Sequence, residues 1–129
     1  MSKYILVVDD EPDIVTTVAM ALELEGYKVR TAANGSEAME QIRSFAPDLV
    51  IIDMVLPEIS GQEVARWMKE SPEYRHIPVI LITALAQKSE KEAFSKDVID
   101  CCLIKPFDLN QLEKKVKDLL SGKVSSARP

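Results

Sequence analysis

Apolar residues fall along the chain in two alternating rhythms. Short apolar runs fall near residues 4–8, 27–32, 49–52, 79–82 and 101–104. Runs of that length without polar alternation predict strands covered on both faces, hence a parallel sheet. Between them the spacing lengthens to that of a helix. Ile14, Val18 and Leu22 form one stripe, and Ala38, Ile42 and Phe45 a second. Val64, Trp67 and Met68 form a third, and Leu109, Leu112, Val116 and Leu119 the clearest of all. Each stripe reads as a face packed on the core. Turn chemistry agrees with these boundaries. Pro12 stands near the start of the first helix, where its missing N–H is harmless, and Gly26 ends that helix. Asn34-Gly35 marks a turn before the second, and Asp108, with Gln111 three residues on, can cap the last. Strand and helix alternating five times predict an α/β domain with helices covering the sheet.

The polar residues that stop the runs carry the chemistry. Asp9 and Asp10 follow the first run, Asp53 the third, Thr83 the fourth and Lys105 the fifth. In an open parallel sheet the strand carboxyl ends share one edge, and ligands bind there. Three carboxylates, a hydroxyl and an ammonium would therefore converge, a set suited to a small hard cation and a phosphoryl group. Singly, each has a plainer reading. Asp9-Asp10-Glu11 would serve equally as acids at a helix N-terminus. Asp53 reads as a turn residue, Thr83 as an ordinary strand residue and Lys105 as a surface lysine. Together they change the odds. Crowded carboxylates raise one another's pKa unless a cation neutralises them, and Mg²⁺ uses few carboxylates while keeping water and phosphate oxygens. A carboxylate can also act as a nucleophile and become an aspartyl phosphate. Asp53, a single acid followed by the loop from Met54 to Gly61, is the best placed. Lys105 would give a point charge to phosphate oxygens, and Thr83 a hydroxyl donor.

Bulk properties narrow the class. The chain has 129 residues, a net charge of −5 and 47% hydrophobic residues, which suits one ordinary domain. The acidic balance leaves no basic footprint for direct nucleic-acid binding. No apolar run approaches the ~18 residues of a membrane span, and the first ten residues do not form a signal peptide, so the cytoplasm is the expected compartment. Cys101 and Cys102 are adjacent and cannot make a metal site alone; they read as buried free thiols on a strand. His76, the one histidine, reads as a solvated loop residue, and Trp67 as core or half-buried. Residues 122–129 are small and polar, as in a flexible tail or the start of a linker.

These motifs resemble the receiver domain of two-component response regulators over about residues 3–121. Asp9-Asp10-Glu11, Asp53 with Pro57 and Gly61, Thr83-Ala84 and Lys105-Pro106-Phe107 stand in the family's order. The spacings are 43 residues from Asp10 to Asp53, 30 to Thr83 and 22 to Lys105. Any one element is weak, but the ordered set is highly specific. The resemblance implies a flavodoxin-like, doubly wound five-stranded parallel sheet in order 2-1-3-4-5 with five helices. It implies a phosphorylation-dependent switch that takes a phosphoryl group on Asp53 from a sensor histidine kinase, a phosphotransfer protein or a small phosphodonor. It implies Mg²⁺ held by Asp10, Asp53 and the backbone carbonyl of Val55, with Asp9 acting partly through water. Lys105 would pair with Asp53 and then with the phosphoryl group, and Thr83 would move to meet that group. The Lys105-Pro106 peptide would be cis. The changed surface of the fourth helix, fifth strand and fifth helix would control an output domain or target protein. Such a domain is a regulatory phosphoacceptor rather than an enzyme.

The sequence also departs from the family. Three positions before the lysine, where an aromatic residue or His is usual, stands Cys102. Readout is therefore expected to rely on the Thr83–Ala84 backbone and the fourth helix. Val98-Ile99 replaces the usual Gly-Ala before the fifth strand. Val55 and Leu85 are apolar where polar residues can orient a hydrolytic water, which predicts a slowly decaying phosphoryl group. Lys91, Asp97 and Lys115 resemble part of a charge network through which some receivers form a homodimer on that same surface. Cys101 and Gln111 break the network, so dimerisation is left open. Two other readings compete. A phosphorylation-independent interaction module on the same fold has no need of all five residues. An aspartyl-phosphate phosphohydrolase needs a second acid where Val55 stands. A nucleotide-binding protein is disfavoured, since none of the four glycines forms a phosphate-cradling loop.

Overall fold

The strand runs become a single parallel sheet. The computed structural model describes residues 3–84 and 100–121. Its strands are β1 (Tyr4–Val8), β2 (Lys28–Ala32), β3 (Leu49–Asp53), β4 (Val79–Thr83) and β5 (Cys101–Ile104), in spatial order β2-β1-β3-β4-β5. All four pairings are parallel. Among the described residues there are four helices: α1 (Pro12–Leu24), α2 (Gly35–Ser44), α3 (Gly61–Glu70) and α4 (Leu109–Ser121). The fourth of the five expected helices, with Leu85, Lys91, Asp97, Val98 and Ile99, falls outside the described residues, as does the segment 122–129.

The period of two along each strand divides the core in two. Leu6, Val8, Val50, Ile52, Val79 and Leu81 face one side, where they meet Ala38 and Ile42 of α2 and Val64, Ala65 and Met68 of α3. Ile5, Val7, Leu49, Ile51, Ile80 and Ile82 face the other, against Val18 and Leu22 of α1 and Leu112, Val116 and Leu119 of α4. Every residue of β3 and β4 is buried. The two edge strands differ. Lys28, Arg30 and Thr31 of β2 are exposed. Cys101 and Cys102 of β5 carry thiols but are half-buried rather than buried, because β5 has a neighbour on one side only.

Helix ends follow local chemistry. Pro12 opens α1, and Gly26 adopts φ +96° beyond its end. Asn34 is more than a turn residue: its side chain accepts the Glu37 N–H and caps α2. Ser60 and Glu63 form a reciprocal capping box on α3. Asp108 Oδ1 accepts the Asn110 N–H at 2.8 Å at the start of α4. Phe45 corrects one expectation. It is not core but lies just past α2, 48% exposed. The Ala46-Pro47 step disfavours continued helix, and the ring instead carries the Arg30 guanidinium 3.7 Å from its centroid. Trp67 is half-buried beside Tyr74, and His76 is exposed in the loop before β4.

The loop from β3 to α3 is held against the strand end. Gly61 donates its N–H to the Met54 carbonyl at 2.9 Å, and a Cβ on Gly61 would collide with the Asp53 carbonyl oxygen. Gly61→Ala should therefore cost about 2–3 kcal/mol in urea unfolding, since backbone must move to admit the methyl. Gly26→Ala, where the space is open and only the positive φ resists, should cost about 1 kcal/mol. Equal effects at the two glycines would refute the close-packing account.

Candidate phosphoacceptor site

Strand register brings the charged residues together. Asp9 follows β1, Asp53 ends β3, Thr83 ends β4 and Lys105 follows β5. Asp53 is level with Ile82, and Thr83 with Ile104. The ladder continues past the strands: Met54 N–H donates to the Ile82 carbonyl and Lys105 N–H to the Thr83 carbonyl, each at 2.7 Å. Carboxylate oxygens of Asp9, Asp10, Glu11 and Asp53 lie within 4.8 Å of one another. Asp9 and Asp53 are buried, whereas Asp10 and Glu11 are exposed. Thr83 is fully buried at the same edge.

Asp9 and Asp53 are held alike. Asp9 Oδ1 accepts the Glu11 N–H and Asp53 Oδ1 the Val55 N–H, both at 2.9 Å and both two residues onward. This is the local turn that aspartate favours. In each case Oδ2 turns to the Lys105 ammonium, at 3.2 Å for Asp9 and 2.7 Å for Asp53. Glu11 Oε1 completes the set at 3.0 Å. The Lys105 side chain is only 15% exposed. Burial alone would lower its pKa, but hydrogen bonds to Asp53 and Glu11 and the charges of Asp53 and Asp9 outweigh that and raise it. Burial raises the Asp9 carboxyl; the Glu11 N–H opposes this, and the Asp53 charge adds to it.

Of the residues singled out from sequence, Asp9, Asp10, Asp53 and Lys105 thus share one cluster, and Thr83 borders it. Val55 contributes its N–H to Asp53, while its side chain is 60% exposed. Leu85 lies outside the described residues. Glu11 had no separate role in the sequence reading, yet it is the second-shortest partner of Lys105. Its place beside two acids is the only sequence signal for that. The Lys105-Pro106 peptide is cis. Oxygen donors packed this closely suit a small hard dication such as Mg²⁺. No described helix is long and apolar enough to cross a membrane.

Comparisons with known proteins agree with this geometry. Residues 5–117 match the response regulator receiver domain family, and the chain belongs to it. It is 34% identical over 120 residues to the polar-differentiation response regulator DivK of Brucella anthropi, covering 93% of this chain and 98% of that protein. The receiver domain of a signal transduction histidine kinase from Syntrophus aciditrophicus superposes with a TM-score of 0.88 at 36% identity, over 94% of this chain and 92% of that one. The response regulator TrrA of Thermotoga maritima, solved in complex with Mg²⁺-BeF, superposes with a TM-score of 0.81 at 39% identity, over 91% and 98% of the two chains. The site thus belongs to a two-component signalling domain whose class is regulatory.

The raised Asp9 pKa fixes the sign of a pH effect. A carboxyl that titrates higher when folded is penalised while ionised, so its contribution favours folding as pH falls through the raised value. Asp9→Asn keeps the acceptor for the Glu11 N–H but removes the charge. In metal-free buffer at pH 7 it should raise the urea midpoint, with a gain that shrinks toward pH 4. A midpoint below wild type at pH 7 would show that Asp9 is needed more as a partner of Lys105.

Proposed function

We propose that this domain is a phosphorylation-operated switch whose acceptor is Asp53. The observation that carries the reading is Asp53 itself, a buried carboxylate with one oxygen fixed by backbone and the other 2.7 Å from a half-buried ammonium. Transfer forms a bond from an Asp53 oxygen to phosphorus and breaks the phosphorus–nitrogen bond of a kinase phosphohistidine. The electron pair leaves with the imidazole. Catalysis of such a transfer is mostly positioning and charge neutralisation. Lys105 orients the acceptor carboxylate, then offers its donors to the phosphoryl oxygens. Thr83, at the end of β4 on the same sheet edge, would move so that its hydroxyl donates to the same group. Bound Mg²⁺ would neutralise charge between the acids and the phosphoryl oxygens. Asp10, Asp53 and the Val55 carbonyl would hold it, with Asp9 acting partly through water.

The partners implied are a sensor histidine kinase or phosphotransfer protein upstream and an output domain or target protein downstream. A receiver served by the cytoplasmic part of a kinase works in the cytoplasm. The kinship with DivK and with a kinase-borne receiver supports this reading. Phosphorylation would bias a two-state equilibrium of the domain.

Acetyl phosphate with Mg²⁺ should add one phosphoryl group by intact mass, and EDTA or Asp53→Asn should abolish it. An adduct that persists on Asp53→Asn would move the acceptor elsewhere. The exposed, apolar Val55 side chain cannot orient a hydrolytic water, so the phosphoryl group should outlast minutes at 25 °C. Decay within seconds in the isolated, Mg²⁺-loaded domain would contradict that.

A further inference from the structure

The Lys105 ammonium has three N–H donors and three carboxylate partners: Asp53 Oδ2 at 2.7 Å, Glu11 Oε1 at 3.0 Å and Asp9 Oδ2 at 3.2 Å. Its donor capacity is filled. A phosphoryl oxygen can be held by Lys105 only if one carboxylate gives way. The three differ in what that release costs. The side chains of Asp9 and Asp53 are 2% and 7% exposed, and each is pinned through its other oxygen to a backbone N–H. Before the bond to phosphorus forms, freeing either would strand a buried charge. Glu11 is 61% exposed. Although Glu11 stands at the N-cap of α1, its side chain makes no capping hydrogen bond. It can swing into water and be solvated there.

We infer that Glu11 is a resting-state latch: it occupies one donor of Lys105 until a phosphoryl oxygen takes its place, and so slows phosphorylation of Asp53. This rests on the reading of Asp53 as acceptor. Glu11 is a positioning residue, since it acts through Lys105 and not on phosphorus. An exposed ion pair is weak, so the latch tunes the rate without blocking it. Glu11 also belongs to the acidic cluster, and its loss would weaken metal binding. The two effects are separated by working at saturating Mg²⁺.

The test compares wild type, Glu11→Gln and Glu11→Asp for the rate of phosphorylation by acetyl phosphate. Here Asp53 forms its bond to phosphorus while acetate leaves with the electrons of the broken P–O bond. Glu11→Gln removes the charge. Glu11→Asp keeps it but is one methylene too short to hold Lys105. Both variants should react roughly two- to fivefold faster, the range set by an exposed pair. The apparent Kd for beryllofluoride, read by NMR, should tighten by a similar factor in both. A gain in Glu11→Gln alone would mean simple repulsion of an anionic donor and would overturn the latch. Unchanged or slower rates in both variants would overturn it as well. Asp53→Asn runs alongside. If it still takes the phosphoryl group, the acceptor reading fails; if it does not and the Glu11 variants match wild type, only the latch fails.

Discussion

The contact on which the rest of this structure depends is the Lys105 ammonium set among Asp53, Asp9 and Glu11. Four carboxylates converge at one sheet edge, and two of them are buried. Acids so placed repel one another and lose hydration, and each effect disfavours the ionised form. Lys105 offsets both. It approaches from the opposite side of the sheet order, since β5 is two strands from β3, and it reaches across β4 to do so. Removing it would leave buried charge without a counterion, a loss of about 3–5 kcal/mol in comparable pairs. The site is therefore a compensated arrangement, with acidic charge still in excess of the single ammonium. That excess is what a dication would meet.

The fold makes the arrangement unavoidable once the strands are in register. Alternate residues of β1, β3 and β4 are committed to two apolar cores, and a slip of one residue would exchange the faces. The strand ends are therefore fixed in height, and Asp9, Asp53, Thr83 and Lys105 with them. Local backbone completes the placement. The same two-residue aspartate turn orients Asp9 and Asp53, and Gly61 lets α3 start hard against the Asp53 carbonyl. Away from the site, Lys69 ties α3 to the Arg75 and Ile77 carbonyls and to Asp100. Asp100 also accepts the Val79 N–H. This second lysine holds the opposite edge of the sheet, where β4 begins and the chain enters β5.

Legibility in the sequence followed the range of the interactions. The central strands were readable because burial on both faces leaves no polar position to confuse the period, as in residues 49–52 and 79–82. Their order and the identity of the pocket came from the spacing of Asp10, Asp53, Thr83 and Lys105, a family pattern and not a consequence of periodicity. What was misread lies at edges and ends. Phe45 continues the arithmetic of the α2 stripe, but the helix stops before it under the influence of Pro47. Cys101 and Cys102 look as apolar as any core run, yet an edge strand leaves them half-covered. Glu11 was hidden for another reason. Its link to Lys105 spans 94 positions, and nothing in a run of three acids says which one faces a distant lysine.

Cys102 places the departure from the family at a mechanically informative position. Leu81 is level with Cys102, and Thr83 with Ile104. A thiol fills far less space than an aromatic ring, so movement at the end of β4 displaces little side-chain volume on β5. The backbone is connected more directly. The Lys105 N–H donates to the Thr83 carbonyl at 2.7 Å, which joins the residue that holds Asp53 to the residue proposed to meet a phosphoryl group. A shift of the Lys105 ammonium toward a phosphoryl group and a shift of Thr83 toward the same group would then load one peptide hydrogen bond from both ends. Coupling of that kind needs no bulky reporter. It would make the ends of β4 and β5 a single unit, a route of readout that does not depend on an aromatic residue.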